Sequence, residues 1–451
     1  MKDNAFLVES VKKLLRRGAT SHLLNILQKV RAADLAEAFK SLDEGEQATV
    51  FHLLAERANN QAALLLGELH PALRTDLLSG REPAEVALVL QNLPSDDVAE
   101  ILALGSEEER ERILSLMHKE ASEQVQDLLG YEDETAGRIM TTRFFALPEE
   151  LLVQDAITAV QKAQEAEMVF YLYVVGEHDH LQGVLSLRRL LTVPPATRLR
   201  EIMSTNVISV RTGTDQEEVA KIATQYDLLA VPVVNDENAL VGIVTIDDVM
   251  DVIREEATED FYKLAGTSDE ERMMKSTLQA ASVRLPWLFA AFLGGLLAAM
   301  LIKNYTSLLS QAITLVCFIP VVLGMGGNIG TQAATIMVRG LATGRISLGQ
   351  VGWVVFREIR IALLLGVLYG ACLGLAAVLI IGMNVRTGLI VGTALLLSML
   401  MAAIVGSVSP MLLKAVHIDP AVATSPFVTT SVDLLGLLAF FGLAGPYLIE
   451  R

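Results

Sequence analysis

Pro426, Thr429, Thr430 and Asp433 stand at i, i+3, i+4 and i+7, the spacing that puts four residues on one face of a helix. Asp433 lies near the middle of an apolar run, with LLGLLAFFGLAG after it. A charge at the centre of a membrane helix costs about 2.5–3.5 kcal/mol on insertion scales, so it needs a partner. No Lys or Arg lies deep in any other apolar run, which makes a mobile cation a better partner than a fixed base. Pro426 has no N–H, so the Val422 carbonyl loses its helical donor and offers a free oxygen. Thr429, one turn before Asp433, adds a carbonyl or hydroxyl. The set is all oxygen, without Cys or His, which suits a hard cation such as Mg2+ over a soft transition metal.

A second motif precedes it. Pro320 is followed by Gly324, Gly326, Gly327, Asn328, Gly330 and Gln332. Glycines in a membrane helix ordinarily serve close packing. Four in seven residues, with Asn328 and Gln332 a turn apart, go beyond packing. They point to a segment broken or tightly approached beside protein or a water-filled path. Asp419, before Pro420, is either a carboxylate at the mouth of that path or the cap of the next helix. Glu358 is expected to pair with Arg357 or Arg360.

These residues need a bilayer around them, and charge and hydropathy divide accordingly. Residues 1–283 hold 49 acids and 27 bases, whereas 284–451 hold 4 acids and 9 bases. Five apolar stretches, roughly 285–303, 311–337, 359–382, 388–413 and 423–448, each reach the ~20 residues that cross the hydrocarbon core. Arg339, Arg345, Arg357 and Arg360 cluster between the second and third, and Lys414 follows the fourth. The positive-inside rule then places the N-terminal part in the cytoplasm and, after five spans, the C-terminus outside. The start, MKDNAFLVESVKK, has no apolar core of a cleavable signal. The acidic half argues against nucleic-acid binding. Cys317 and Cys372, both in apolar segments, argue against a disulfide scaffold.

Residues 137–260 contain an internal repeat. Arg138-Ile139-Met140-Thr141-Thr142 matches Glu201-Ile202-Met203-Ser204-Thr205. Tyr173-Val174-Val175 and Gly183 to Leu190 match Pro232-Val233-Val234 and Gly242 to Val249. Each copy reads strand, helix, strand, turn, strand, helix, similar to a tandem pair of CBS domains. That resemblance implies adenosine-nucleotide binding, with an acid of a Gly-x-x-Thr-x-x-Asp stretch on the ribose. The second copy keeps Gly242, Thr245 and Asp248, but the first has Arg189 at the acid's place. His178-Asp179-His180 falls between two strands of the first copy and reads as a polar turn.

Residues 1–130 show helical spacing in short segments broken by Pro or acid, which suggests an all-helical array. Helix capping explains one of Asp96, Asp97 and Glu100. From 213 to 271 there are 16 acids and 3 bases. Asp248, Asp251, Glu255 and Glu259 share one helical face at i, i+3, i+7 and i+11. Two carboxylates about 4 Å apart repel by about 4 kcal/mol at an effective dielectric of 20. Such a surface opens unless a divalent cation bridges it, which makes it a candidate cation sensor.

A helical array, a CBS pair, an acidic connecting helix and five spans together resemble the MgtE magnesium channels or transporters, over the whole chain. The carrying motifs are Pro320 with Gly326-Gly327-Asn328-Ile329-Gly330-Thr331-Gln332, then Asp419-Pro420-Ala421 and Pro426 to Asp433. The expected fold is a multidomain membrane protein. Its parts are an all-α helical-array N domain (1–130), an α/β tandem CBS pair (137–200 and 201–260), a connecting plug helix (261–283) and a five-helix transmembrane domain (284–451). The resemblance implies a homodimer in the bacterial inner membrane with one pore on its axis. In that pore Asp433 of both protomers, helped by the Thr429 backbone, faces hydrated Mg2+. It also implies closure by cytoplasmic Mg2+ bridging acids of the array, the CBS pair and the connecting helix. The matching sensor positions are Asp96, Glu100, Gly137, Asp215, Thr224, Asp227, Asp248, Asp251, Glu256, Glu259 and Asp260, with Gly137 and Thr224 acting through carbonyls.

Four positions depart from the family. An acid expected around Leu64 is absent, Ser425 differs beside Pro426, and the family's ATP pocket has an acid at Arg189 and an aromatic at Leu228. ATP, with Tyr171 and Arg188 as candidate contacts, is left open. The competing readings are a CBS-regulated transporter of another divalent cation such as Mn2+ or Co2+, or of a different solute under nucleotide control. An intramembrane enzyme ranks below both. The sequence has no HExxH or Gly-x-Ser-x-Gly and no paired intramembrane Asp.

Overall fold

The computed structural model of the protein describes residues 2–162, 170–268, 271, 276–306, 313–343, 345–346, 348–416, 418–421 and 426–449. It divides into two compact units, Met1–Ile253 and Arg254–Arg451.

The first unit opens with a helical array, α1 (Lys2–Arg16) to α10 (Lys119–Leu129). Its helices are short because caps and prolines punctuate them. At Asp43 a capping box closes, with the Glu46 N–H donating to Asp43 Oδ1 at 2.8 Å and the Asp43 N–H to Glu46 Oε2 at 3.2 Å. Pro71 and Pro83 occupy first turns, where a missing N–H costs nothing. Phe39, Phe51, Leu54, Leu66 and Leu90 are fully buried. The same core runs on into Val219, Val231, Val244 and Val249 of the second CBS copy, so the array and that copy share one apolar interior, while the first copy has its own around Leu147, Leu172 and Leu185.

Each CBS copy forms a three-stranded sheet. The first has β1 (Ala146–Pro148), β2 (Tyr171–Val175) and β3 (Leu181–Ser186), and the second has β4 (Val210–Arg211), β5 (Ala230–Val234) and β6 (Leu240–Thr245). In both, the first pair is parallel and the second antiparallel, with an irregularity at the same place. The repeated motifs meet crosswise. A Cβ at Gly242 would lie 2.5 Å from Met140 Sδ, and one at Gly183 would lie 2.6 Å from Met203 Sδ. Thr141 pairs with Ile243, and Ser204 with Val184. Each copy therefore inserts its methionine over the other copy's turn glycine, and any larger residue there meets the methionine side chain. His178 and Asp179 take left-handed φ values of 57° and 56° in the β2–β3 turn.

After the short helices α11 (Ala136–Ile139), α12 (Val153–Lys162), α13 (Leu187–Thr192) and α14 (Leu199–Ile202) come α15 (Gln216–Gln225) and α16 (Ile246–Ala265). Of the stretch 261–283, residues 261–265 end α16 and 277–283 begin α17 (Thr277–Asn304).

The second unit contains five helices long and apolar enough to cross a membrane. They are α17, α18 (Ile319–Ala342, preceded by a 3-10 turn from Ile313), α19 (Val351–Leu379), α20 (Val385–Ala415) and α21 (Pro426–Ile449). Small residues let them approach. A Cβ at Gly370 would lie 2.5 Å from the Gly392 carbonyl oxygen, and one at Gly374 would lie 2.7 Å from that of Gly388. The outward faces of α17 and α19, with Leu288, Phe289, Leu296, Leu364 and Val367, are apolar and exposed, as hydrocarbon requires.

Two expectations change here. The glycine motif does not break its helix: α18 runs unbroken through it, with Pro320 in the first turn. Among the described residues no hydrogen bond or salt bridge joins Glu358 to Arg357 or Arg360, although the Arg357 charge acts on it. Glu358 lies on the buried face of α19 and its Oε1 has no hydrogen-bond partner, while Arg357 and Arg360 lie over the Trp353 and Phe356 rings. Successive positions on a helix point about 100° apart, so adjacent charges in sequence face different surroundings.

Candidate functional site

Asp433 is half-buried on α21. Among the described residues no hydrogen bond or ion pair engages its carboxylate. Its helix is held firmly by other faces. Val428 and Val432 are buried against Gly330, and a Cβ at Gly326 would meet Ser398 Oγ at 2.6 Å and Val432 at 3.2 Å. Thr430 fills the notch at Gly294 of α17, where a Cβ would collide with its Oγ1. Thr429 Oγ1 donates to the Pro426 carbonyl at 3.3 Å. Pro426 is the first residue of the described helix, and the expected free carbonyl of Val422 lies outside the described residues.

The glycine motif splits between two tasks. Gly326 and Gly330 are buried in packing, and a Cβ at Gly406 would collide with the Gly330 carbonyl oxygen. Gly324 and Gly327 face open space. Beside them Asn328, Thr331, Gln332 and Thr335 are all exposed. Thr331 and Thr335 satisfy their hydroxyls on the carbonyls one turn back, each at 2.9 Å. This polar strip on a membrane helix requires protein or water against it.

Asp419 is committed on both sides. Its Oδ1 accepts from the Ala421 N–H at 2.8 Å, and its Oδ2 receives Lys263 Nζ at 2.7 Å. The cap function is thus present, and the charge is answered by a lysine.

Several cytoplasmic positions come together. The opening segment of the first CBS copy is tied to the helical array by Arg138, which donates to the carbonyls of Leu128 in α10 and Ala99 in α8 (Ser95–Ala103) at 3.1 and 3.3 Å. Arg143 donates to the Leu93 carbonyl at 3.2 Å, and Ser95 meets Thr142 at 3.3 Å. Within the second CBS copy Asp248 takes a local hydrogen bond from Thr245. Burial pushes the Asp248 carboxyl up to about 7. The Thr245 bond pulls against that shift, and the Asp247 and Asp97 charges add to it. Gly137 donates its N–H to the Thr212 carbonyl at 2.8 Å, and Ala136 donates to Thr214 at 2.7 Å, which brings them beside Asp215. Asp215 itself caps α15 through the Glu217 N–H at 2.7 Å. A Cβ at Gly137 would lie 2.7 Å from the Tyr131 ring, so glycine is required there.

Other positions are engaged or dispersed. Glu100 is paired with Arg74 at 2.9 Å. Thr224 bonds the Ala220 carbonyl at 2.8 Å, and Asp227 has φ 51° just past the end of α15. Asp251, Glu256, Glu259 and Asp260 lie along α16. Among the described residues no three of His, Cys, Asp and Glu gather into a metal cluster. Asp96 lies in the first turn of α8. Tyr171 packs partly buried against the apolar cluster around Tyr173 and Ile243, whereas Arg188 is exposed. Leu64 is exposed, with no acid in its place. Sequence reasoning missed Asp97 as a charge acting on Asp248, because that effect depends on packing between segments far apart in the chain.

The Asp248 environment sets a pH dependence. Its folded value of about 7 lies above the ordinary 3.8. The protonated carboxyl therefore favours the folded unit fully below pH 3.8, and that contribution is lost as pH rises through about 7. Without divalent cations, the protection of α8 amides against hydrogen exchange is expected to fall as pH passes through about 7. Asp248→Asn is expected to flatten that change.

Family models match three parts of the chain. They are the MgtE intracellular N domain over residues 30–134, the CBS domain over 136–195 and 199–255, and the MgtE divalent cation transporter over 319–443. A magnesium transporter MgtE of Bacillus subtilis (strain 168) is 34% identical over 436 residues, 96% of each chain. The chain belongs to the MgtE family. The MgtE of Thermus thermophilus is 35% identical, covering 97% of this chain and 98% of that one. Among solved structures, the cytosolic domain of the Mg2+ channel MgtE in complex with ATP superposes with a TM-score of 0.52 at 35% identity. It covers 54% of this chain and 99% of that chain.

Proposed function

We propose that the protein is a Mg2+ channel of the bacterial inner membrane, N-terminus cytoplasmic and C-terminus outside, which works as a homodimer and closes when cytoplasmic Mg2+ rises. The observation that carries this reading is the Asp433 carboxylate, half-buried at membrane depth and without a partner among the described residues. Mg2+ dehydrates reluctantly and demands octahedral oxygen geometry. A site that passes it quickly touches its waters through few oxygens, and one Asp433 from each protomer supplies such contacts. The exposed strip of Asn328, Thr331, Gln332 and Thr335 supports a wall that a second copy completes around water.

For gating, the seam between α8 and the second CBS copy supports a cation-bridged state. Asp97 and Asp248 repel when both are ionised, and a divalent ion between carboxylates removes that repulsion. Asp96, Glu100, Gly137, Asp215, Thr224, Asp227, Asp251, Glu256, Glu259 and Asp260 extend the sensor. ATP remains an open second ligand of the CBS pair, where the second copy keeps Gly242, Thr245 and Asp248. Arg189 replaces the ribose-holding acid in the first copy, and Asp248 in the second is held by Thr245 and faces the N domain.

The test is flux into liposomes of purified protein with Mg2+, Mn2+, Co2+ or Ca2+, with and without a membrane potential. Mg2+ entry that follows its own gradient and the potential is expected. Mn2+ or Co2+ entry without Mg2+ entry would transfer the assignment to the competing divalent-cation reading.

A further inference from the structure

Lys263 on α16 has its Nζ 2.6 Å from Glu259 Oε1 and 2.7 Å from Asp419 Oδ2. Glu259 is one turn back on the same helix. Asp419 belongs to the turn before α21, the helix that carries Asp433. Of the three bases among the 16 acids of 213–271, Lys221 pairs within its own helix at 2.9 Å, whereas Lys263 reaches a second element. Burial draws the Lys263 ammonium down, but its bonds to Asp419 and Glu259 outweigh that and raise it, so it stays charged. The Asp419 carboxylate that receives Lys263 also holds the turn by accepting the Ala421 N–H. A pull on the ammonium therefore acts on the carboxylate and, with it, on the Asp419–Ala421 turn. An ammonium on a four-carbon stem can follow modest shifts of its helix without losing the bond.

We propose that Lys263 is a positioning residue that links the acidic helix α16 to the entry turn of the pore helix, so that a movement of α16 reaches α21 through this ion pair. The proposal rests on the reading that cytoplasmic Mg2+ closes the pore. Glu259 steadies the lysine from its own helix, and Asp419 is the far end of the link.

The test uses the full chain in liposomes, with Lys263→Gln, Lys263→Arg, Asp419→Asn and the exchange Lys263→Asp with Asp419→Lys. Asparagine keeps an oxygen for the Ala421 N–H, so Asp419→Asn removes the charge pair and spares the turn. Lys263→Gln and Asp419→Asn are each expected to raise the Mg2+ needed for half-closure about tenfold, equal to about 1.4 kcal/mol of lost coupling. In Lys263→Gln, flux at low Mg2+ is expected to remain at the wild-type level. Lys263→Arg is expected to close normally, and the exchanged pair is expected to recover most of the lost sensitivity. Closure of Lys263→Gln at wild-type Mg2+, or no recovery in the exchanged pair, would overturn the link. Hydrogen exchange at the Ala421 amide reads the same contact without transport: faster in Lys263→Gln, unchanged in Lys263→Arg. A wild-type channel that never closes would contradict the gating reading alone. The amide would then decide the link, and equal exchange in wild type and Lys263→Gln would overturn it.

Discussion

A channel carrying Asp248→Ala, Asp251→Ala, Glu256→Ala and Glu259→Ala is expected to stay open at millimolar Mg2+, where the wild type shuts. Moving a two-state equilibrium from 1:99 to 99:1 takes about 5.5 kcal/mol of differential binding. No single surface carboxylate pair supplies that, since exposed pairs are worth about 0–1 kcal/mol. Several bridged acids acting together do. Asp248 contributes beyond its neighbours because it is strongly desolvated and the Asp97 charge acts on it. Restoring Asp248 alone should therefore recover more Mg2+ sensitivity than restoring Asp251, which is exposed. The measurement is Mg2+ influx into liposomes at fixed gradient while the Mg2+ on the cytoplasmic face is varied. Closure of the fourfold variant at wild-type concentrations would remove these acids from the sensor.

Residues that do chemistry were legible in the sequence where their surroundings made them costly. Asp433 stood out because an acid in a long apolar run has no cheap explanation, and the structure leaves it without a partner among the described residues. The CBS repeat was legible as paired motifs, and the crosswise packing of Met140 on Gly242 and Met203 on Gly183 gives the reason for the pairing. Contacts between distant segments were not legible. The Asp97 charge acts on Asp248, and Lys263 bonds Asp419 from 156 residues away, because packing of separate elements brings them together. Adjacent charges misled for the opposite reason. Glu358 sits beside two arginines in sequence, yet its helical position turns it into the bundle while they reach aromatic rings. The glycine motif read as one feature, but helical geometry sends Gly326 and Gly330 into packing and leaves Gly327, Asn328 and Gln332 on the exposed strip.

The larger effect belongs to the membrane carboxylate. Asp433→Ala deletes the only acid on its helix among the described residues and leaves the passing ion with neutral oxygens. Asp433→Asn keeps size and one oxygen but loses the charge, so it separates electrostatic attraction from packing. Neither change should disturb the bundle. Asp433 makes no hydrogen bond among the described residues, and α21 is held through Val428, Thr430 and Val432. Removing a charge from membrane depth is, if anything, favourable to insertion by about 2.5–3.5 kcal/mol.

Mg2+ entry into liposomes holding equal amounts of folded wild-type, Asp433→Asn and Asp433→Ala protein, with low Mg2+ on the cytoplasmic face, is the decisive comparison. Conduction past this side chain requires at least a tenfold loss in Asp433→Asn and no entry above protein-free liposomes in Asp433→Ala. Wild-type entry in both variants would mean that the ion crosses elsewhere and that the carboxylate has no part in conduction.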